Sequence, residues 1–166
     1  MDHRGHGADG GPGAREPEDS MSTENGRPSR IVAGVDGSPS SRAALAWAVR
    51  QAELTGALVD AVTAWQYPAG YGWPAPVLQS FDFAAAAGQA LAEAVEAVAT
   101  RHGGVEIRQH VVQDHPATAL LSAADGAELL VVGNRGRGGF AGTLLGSVSQ
   151  HCVHHARCPV VVVRTD

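Results

Sequence analysis

From Arg30 onward, short apolar runs alternate with stretches of helical pattern. Ile31–Val35, Leu58–Ala64, Leu129–Val132 and Val160–Val163 are near-continuous apolar runs of strand length. Such runs belong to strands buried on both faces, as in parallel sheets covered by helices. Val105–Val112 differs: Val105, Ile107 and Val111 alternate with Glu106, Arg108 and His110, which suits a sheet edge. Ser38 and Pro39 supply an N-cap and an N1 proline for a helix running to about Leu54, closed by Gly56. An alanine-rich helix is expected over Phe83–Arg101, with Leu91, Val95 and Val98 on one stripe and His102-Gly103-Gly104 as its stop. Pro116 opens a third helix, with Gly126 beyond its end, and Ser147 opens a fourth that runs to about Ala156. The order β-α-β-α-β-α-β-α-β predicts an open five-stranded parallel α/β sheet with helices on both faces. A chain of 166 residues suits one such domain.

Ligands of these sheets sit beyond the carboxyl ends of the strands, where the strand order reverses. Two loops compete for that position: Asp36-Gly37-Ser38 after the first strand, and the stretch from Gly133 to Ser147 after the fourth. The second reads Gly133-Asn134-Arg135-Gly136, nine further residues, then Gly146-Ser147. A glycine loop that ends a buried strand and enters a helix N-terminus makes an anion cradle. Glycine lets the backbone approach a phosphate, and the free N–H groups of the first helical turn point at it.

Composition narrows the chemistry. All 12 basic residues are arginine. Without lysine the chain lacks the phosphate-binding residue of a P-loop and the amine of a Schiff base, and a receiver domain is disfavoured. A net charge of -5 argues against a nucleic-acid surface, although Arg135 and Arg137 form a local basic spot in the glycine loop. Hydrophobic content is 44% and no apolar run nears transmembrane length. No signal peptide is visible, and Cys152 and Cys158 as the only cysteines fit a reducing cytoplasm.

The candidate chemistry follows from these positions. Gly136-Arg-Gly138-Gly139-Phe-Ala141 fits the dinucleotide pattern G-x-G-x-x-A, but it lies in the fourth connection and lacks the acidic residue about 20 positions on. Asp36 ends a buried strand and could accept from ribose hydroxyls, hold a divalent ion, or cap a turn. Ser147 and Ser149 could contact phosphates or cap the helix, and Arg135 and Arg137 could pair with phosphates. His151, Cys152, His154, His155 and Cys158 match no zinc spacing, and Cys152 shares a helical stripe with Val148 and His155 as a small core residue. No metal is expected there. No catalytic constellation stands out, and Asp114 and His115 read as helix-capping groups.

The chain resembles the universal stress protein family. The matching residues are Gly34-Val35-Asp36-Gly37-Ser38, the string Gly133–Gly142, Leu144-Leu145-Gly146-Ser147-Val148-Ser149, and Cys158-Pro159-Val160. The spacing G-x2-G-x9-G-[S/T] is that family's ATP-binding signature, and the likeness covers residues 29–166. It implies strand order 3-2-1-4-5, a Rossmann-like fold, and ATP or another adenine nucleotide in the crevice, with or without Mg2+ or Mn2+. By resemblance, Gly34, Val35 and Asp36 line the adenosine side, and Val62 meets the adenine edge through its backbone. Val132, Gly133 and Gly136 flank the ribose and first phosphates, with Arg135, Arg137, Gly138 and Gly139 in the same loop. Gly146, Ser147, Val148 and Ser149 hold the phosphates. Asn134 stands where many relatives carry serine. The resemblance also implies a homodimer paired through Val160–Val163.

The expected role is that of an ATP-binding regulator or protective protein in the stress response; the alternative is a slow ATPase or nucleotide hydrolase of the same superfold. The Gln66–Ser80 stretch, with Tyr67, Tyr71 and Trp73, reads as a loop that nucleotide occupancy could bias. Residues 1 to about 28 hold six glycines and nine Asp, Glu or Arg residues, too little apolar surface to offset ordering entropy, and are expected to be disordered. Met21 reads as the natural start, with residues 1–20 an upstream extension, which the intact mass of the native protein checks.

Overall fold

The computed structural model describes residues 28–67, 81–138 and 144–165. Along them run β1 (Arg30–Gly34), α1 (Pro39–Thr55), β2 (Leu58–Trp65), α2 (Phe83–Ala99), β3 (Ile107–Gln113), α3 (Pro116–Ala123), β4 (Leu129–Gly133), α4 (Ser147–His155) and β5 (Val160–Val163). The strands form one sheet in the order β3-β2-β1-β4-β5, every pair parallel. The α/β class is as the sequence predicts, and the strand order is the one the family resemblance implies. Residues 1–27, residues 68–80 and Gly139 lie outside the described residues, and with them most of the expected tail and loop.

Two apolar cores sandwich the sheet. On one face α1 and α2 pack Leu45, Val49, Leu91, Val95 and Val98 onto Ile31, Val59 and Val131. On the other, α3 and α4 bring Leu120 and Cys152 onto Val32, Val62 and Leu130. This double coverage explains why the central strands read as unbroken apolar runs. The stripe Leu91, Val95 and Val98 is buried as expected, and β3 takes the sheet edge.

The boundaries shift for identifiable reasons. The helix expected to reach Arg101 ends at Ala99, because the Arg101 and His102 N–H groups turn to the carbonyls of Val98 and Ala99. Such i→i+3 bonds tighten and finish a last helical turn. The third strand starts at Ile107 rather than Val105; Glu106 still gives its carbonyl to the Val59 N–H at 2.9 Å.

The apolar run of β2 also conceals a charge. Asp60 is buried, and its Oδ2 accepts from Arg30 Nη1 at 3.1 Å. Its Oδ1 lies 2.9 Å from Nε2 of His110, which sits on β3. Arg30 donates further to the carbonyls of Ala123, at 2.7 Å, and Asp125. One guanidinium thus ties β1 to β2 and to the end of α3, and among the described residues no buried side-chain nitrogen or oxygen lacks a partner.

Candidate functional site

The strand order reverses between β1 and β4. From β1 the chain leaves through α1 to β2 on one side, while β4 lies on the other. A cavity of about 120 Å3 opens at the carboxyl ends of these strands. Gly34, Val35, Val62, Val132 and Gly133 contribute from the strand ends. Pro116 and Leu120 of α3, with Val148 and Ser149 of α4, form an apolar flank, and Asp36, Arg135 and Gly136 stand at the loop side. Gly34 is closely covered: a Cβ there would lie 3.0 Å from Leu120 Cδ1, so the leucine side chain would have to shift.

Asp36 joins the two loops that the sequence reading places in competition. Its Oδ1 accepts from the Ser38 N–H at 2.9 Å, and its Oδ2 from the Arg137 N–H at 3.1 Å. The contact explains Gly136, where a Cβ would fall 2.7 Å from Asp36 Oδ2. Next to it the Arg137 guanidinium covers Gly37, a residue with φ of +82° whose Cβ would lie 2.5 Å from Arg137 Nη2. The serines of α1 complete the join: the hydroxyls of Ser38 and Ser40 both donate to the Arg135 carbonyl.

Behind the loop, α4 is anchored by main-chain bonds. Gly146, its N-cap, donates its N–H to the Asn134 carbonyl at 2.7 Å, and Asn134 donates its own to Val163 at 2.8 Å. Glycine has no side chain with which to satisfy the first-turn amides, and no side-chain cap is formed. These N–H groups are therefore directed outward at the positive end of the helix dipole, an arrangement suited to an anion.

Of the site residues named from sequence, Gly34, Val35, Asp36, Val62, Val132, Gly133, Arg135, Gly136, Val148 and Ser149 all meet at the cavity. Arg137 and Gly138 are exposed on the adjoining loop, and Gly146 and Ser147 stand at the head of α4, outside the cavity lining. Gly139 lies outside the described residues. The structure narrows the roles weighed for two serines. Ser147 is not the cap, because Gly146 holds that position. Ser149 is buried and donates to the Gly133 carbonyl at 2.6 Å, which bolts α4 to the end of β4. Val62 gives its carbonyl to the Val35 N–H at 2.8 Å, so its backbone is already engaged with the end of β1.

Sequence reasoning missed Pro116 and Leu120, because their contribution depends on where α3 lies over the sheet. It missed Ser40 too, although the cluster Ser38-Pro-Ser40-Ser41 at a helix start is a visible sign of backbone anchoring. Cys152 is fully buried in the α3–α4 core, as expected from its stripe. His115 is the N-cap of α3, accepting from the Ala117 N–H through Nδ1 at 3.3 Å.

Desolvation raises the pKa of the Asp36 carboxyl, but hydrogen bonds from Ser38, Ser41 and Arg137 together outweigh it and hold the group below the ordinary carboxylate value. A carboxyl whose pKa is lower when folded adds stability above its unfolded pKa, near pH 4, and loses it as the pH falls through the folded value. Denaturant titrations between pH 6 and pH 3 should show Asp36→Asn losing less stability on acidification than the parent chain. Parallel curves would mean that the carboxylate does not clamp the two loops.

The universal stress protein family model matches residues 28–164. Universal stress protein Rv2623 of Mycobacterium tuberculosis is 39% identical over 137 residues, which is 81% of this chain and 44% of that protein. The chain thus spans a little under half the length of the curated relatives it matches. Among solved structures, universal stress protein UspA from Lactobacillus plantarum superposes with a TM-score of 0.71 at 28% identity, over 84% of this chain and all of that one. A universal stress protein crystallised in complex with cAMP matches with a TM-score of 0.60 at 30% identity, over 84% of this chain and 99% of the other.

Proposed function

The chain belongs to the universal stress protein family, and on that premise we propose that it binds an adenine nucleotide, ATP, in the crevice between the ends of β1 and β4 and acts as a nucleotide-dependent regulator in the stress response. The observation that carries this reading is the joining of the two loops: Asp36 holds the Gly136–Arg137 peptide beside the uncapped head of α4. A relative at 30% identity has been crystallised with cAMP, which supports adenine as the base.

The cavity's dimensions support a division of the ligand between the cavity and the loops outside it. At about 120 Å3 it is small beside the several hundred Å3 of a site that encloses a whole drug-sized ligand. It takes the base and sugar against Val62, Leu120 and Val132, and the phosphates extend outside over Gly136, Gly146 and Ser147. Arg135 and Arg137, with Gly138 and Gly139, border that path. A Mg2+ or Mn2+ ion would arrive on the phosphates, and among the described lining residues Asp36 is the carboxylate that could meet it. Asp36 is engaged by the Ser38 and Arg137 N–H groups, which suits a positioning role in binding. We further propose that residues 29–166 form the working domain, and that the protein is cytoplasmic, which cell fractionation checks. Among the described residues no helix is long and apolar enough to cross a membrane. The β5 edge, Val160–Val163, would pair with a second copy; sedimentation as a monomer would remove that part.

Chromatography of the nucleotide released when purified protein is denatured tests the main reading. An adenine nucleotide, ATP foremost, should be recovered. Nucleotide-free protein with no ATP affinity by calorimetry would overturn it.

A further inference from the structure

His151 and His155 stand one helical turn apart near the end of α4, and both are exposed. Residues at i and i+4 share a face of a helix, the arrangement by which a helix offers two imidazoles to one metal ion. Here the rings already lie together, stacked with centroids 4.1 Å apart and planes inclined by 23°. The second ring is also oriented by the backbone: Nδ1 of His155 lies 2.9 Å from the His151 carbonyl oxygen. A carbonyl only accepts, so Nδ1 carries the hydrogen, and the neutral ring keeps its lone pair on Nε2. A ring N–H anchored on a backbone carbonyl is the usual support of a metal-binding histidine.

From this juxtaposition we propose that the C-terminal turn of α4 carries a surface site for a borderline divalent transition ion, Cu2+ before Zn2+ or Ni2+, chelated by His151 and His155. Imidazole suits these ions, and Cu2+ binds such donors most tightly. The negative end of the helix dipole favours the added charge. Among the described residues no set of three His, Cys, Asp or Glu is placed to enclose an ion. The ion therefore completes its shell with water, and the site is open and exchangeable. Arg157, in the cleft beside His155, is offset by Asp125 at 3.7 Å. Cys152 takes no part: it is fully buried, and burial pushes its thiol up to about 11. Neither histidine lines the nucleotide crevice, which faces the head of α4; His151 and His155 lie four and eight residues beyond Ser147, about 6 and 12 Å along the helix.

The test is Cu2+ titration of the full chain carrying His3→Ala and His6→Ala, so that the N-terminal histidines do not contribute. Chelator competition reads the affinity, and electron paramagnetic resonance reads the nitrogen ligands. One Cu2+ with two imidazole nitrogens is expected. His151→Ala and His155→Ala should each weaken binding at least tenfold, and His154→Ala should leave it within twofold. Adding Val153→His to His155→Ala restores the histidine count at the wrong spacing and should not restore affinity. Equal binding by the His151→Ala and His155→Ala chains would mean an adventitious ion only and overturn the site. So would a loss in His154→Ala as large as that in His155→Ala.

Discussion

Gly133→Ala should destabilise the domain by on the order of 1–3 kcal/mol, the usual cost of forcing an extra methyl into a packed interior. The added Cβ would lie 2.7 Å from the backbone carbon of Ser40 and 2.9 Å from its Cβ. Both atoms belong to the first turn of α1, where main chain cannot rotate away as the tip of a long side chain can. For a chain of this size each kcal/mol lowers Tm by roughly 2–4 °C, so thermal unfolding reads the effect directly. The displacement would also loosen the Ser40 hydroxyl from the Arg135 carbonyl. An unchanged Tm would show that the head of α1 is not seated on the end of β4. In sequence Gly133 reads as a phosphate-approach glycine; in the fold its first constraint is the neighbouring helix.

Gly136→Val is expected to separate binding from folding. Gly136 is exposed, so the core is untouched and Tm should move little. Its Cβ, however, would sit 2.7 Å from Asp36 Oδ2. To relieve that contact the loop must release the Arg137 N–H from Asp36 and swing away from the crevice. Calorimetry with ATP should show affinity at least about 100-fold weaker, near 2.7 kcal/mol. The loss should exceed that caused by Arg137→Ala, which removes a side chain but leaves the peptide geometry intact. Retained affinity in Gly136→Val would show that the phosphates do not run along this loop.

The two glycines mark how far a sequence can be read. Spacing identified both as special, because strand–glycine loop–helix is a local pattern and each part announces itself in neighbouring residues. It could not assign their separate duties, since the atoms that crowd them, in Ser40 and Asp36, are nearly a hundred residues distant. Asp60 teaches the same lesson. Inside an apolar run it passes unnoticed, and its partners Arg30 and His110 lie on the two neighbouring strands. Ser149 was legible only as a phosphate contact or a cap until its bond to Gly133 gave it a third role.

What the amino-acid order settled alone was the alternation of strands and helices and the apolar positions that make two cores. Periodicity and turn chemistry act within a few residues, and those signals survive without a structure. The tertiary structure alone decided that Asp36 meets the Gly136–Arg137 peptide and that α3 supplies Leu120 to the cavity. These are contacts between segments far apart in the chain, and they exist only once packing has chosen which neighbours share an edge.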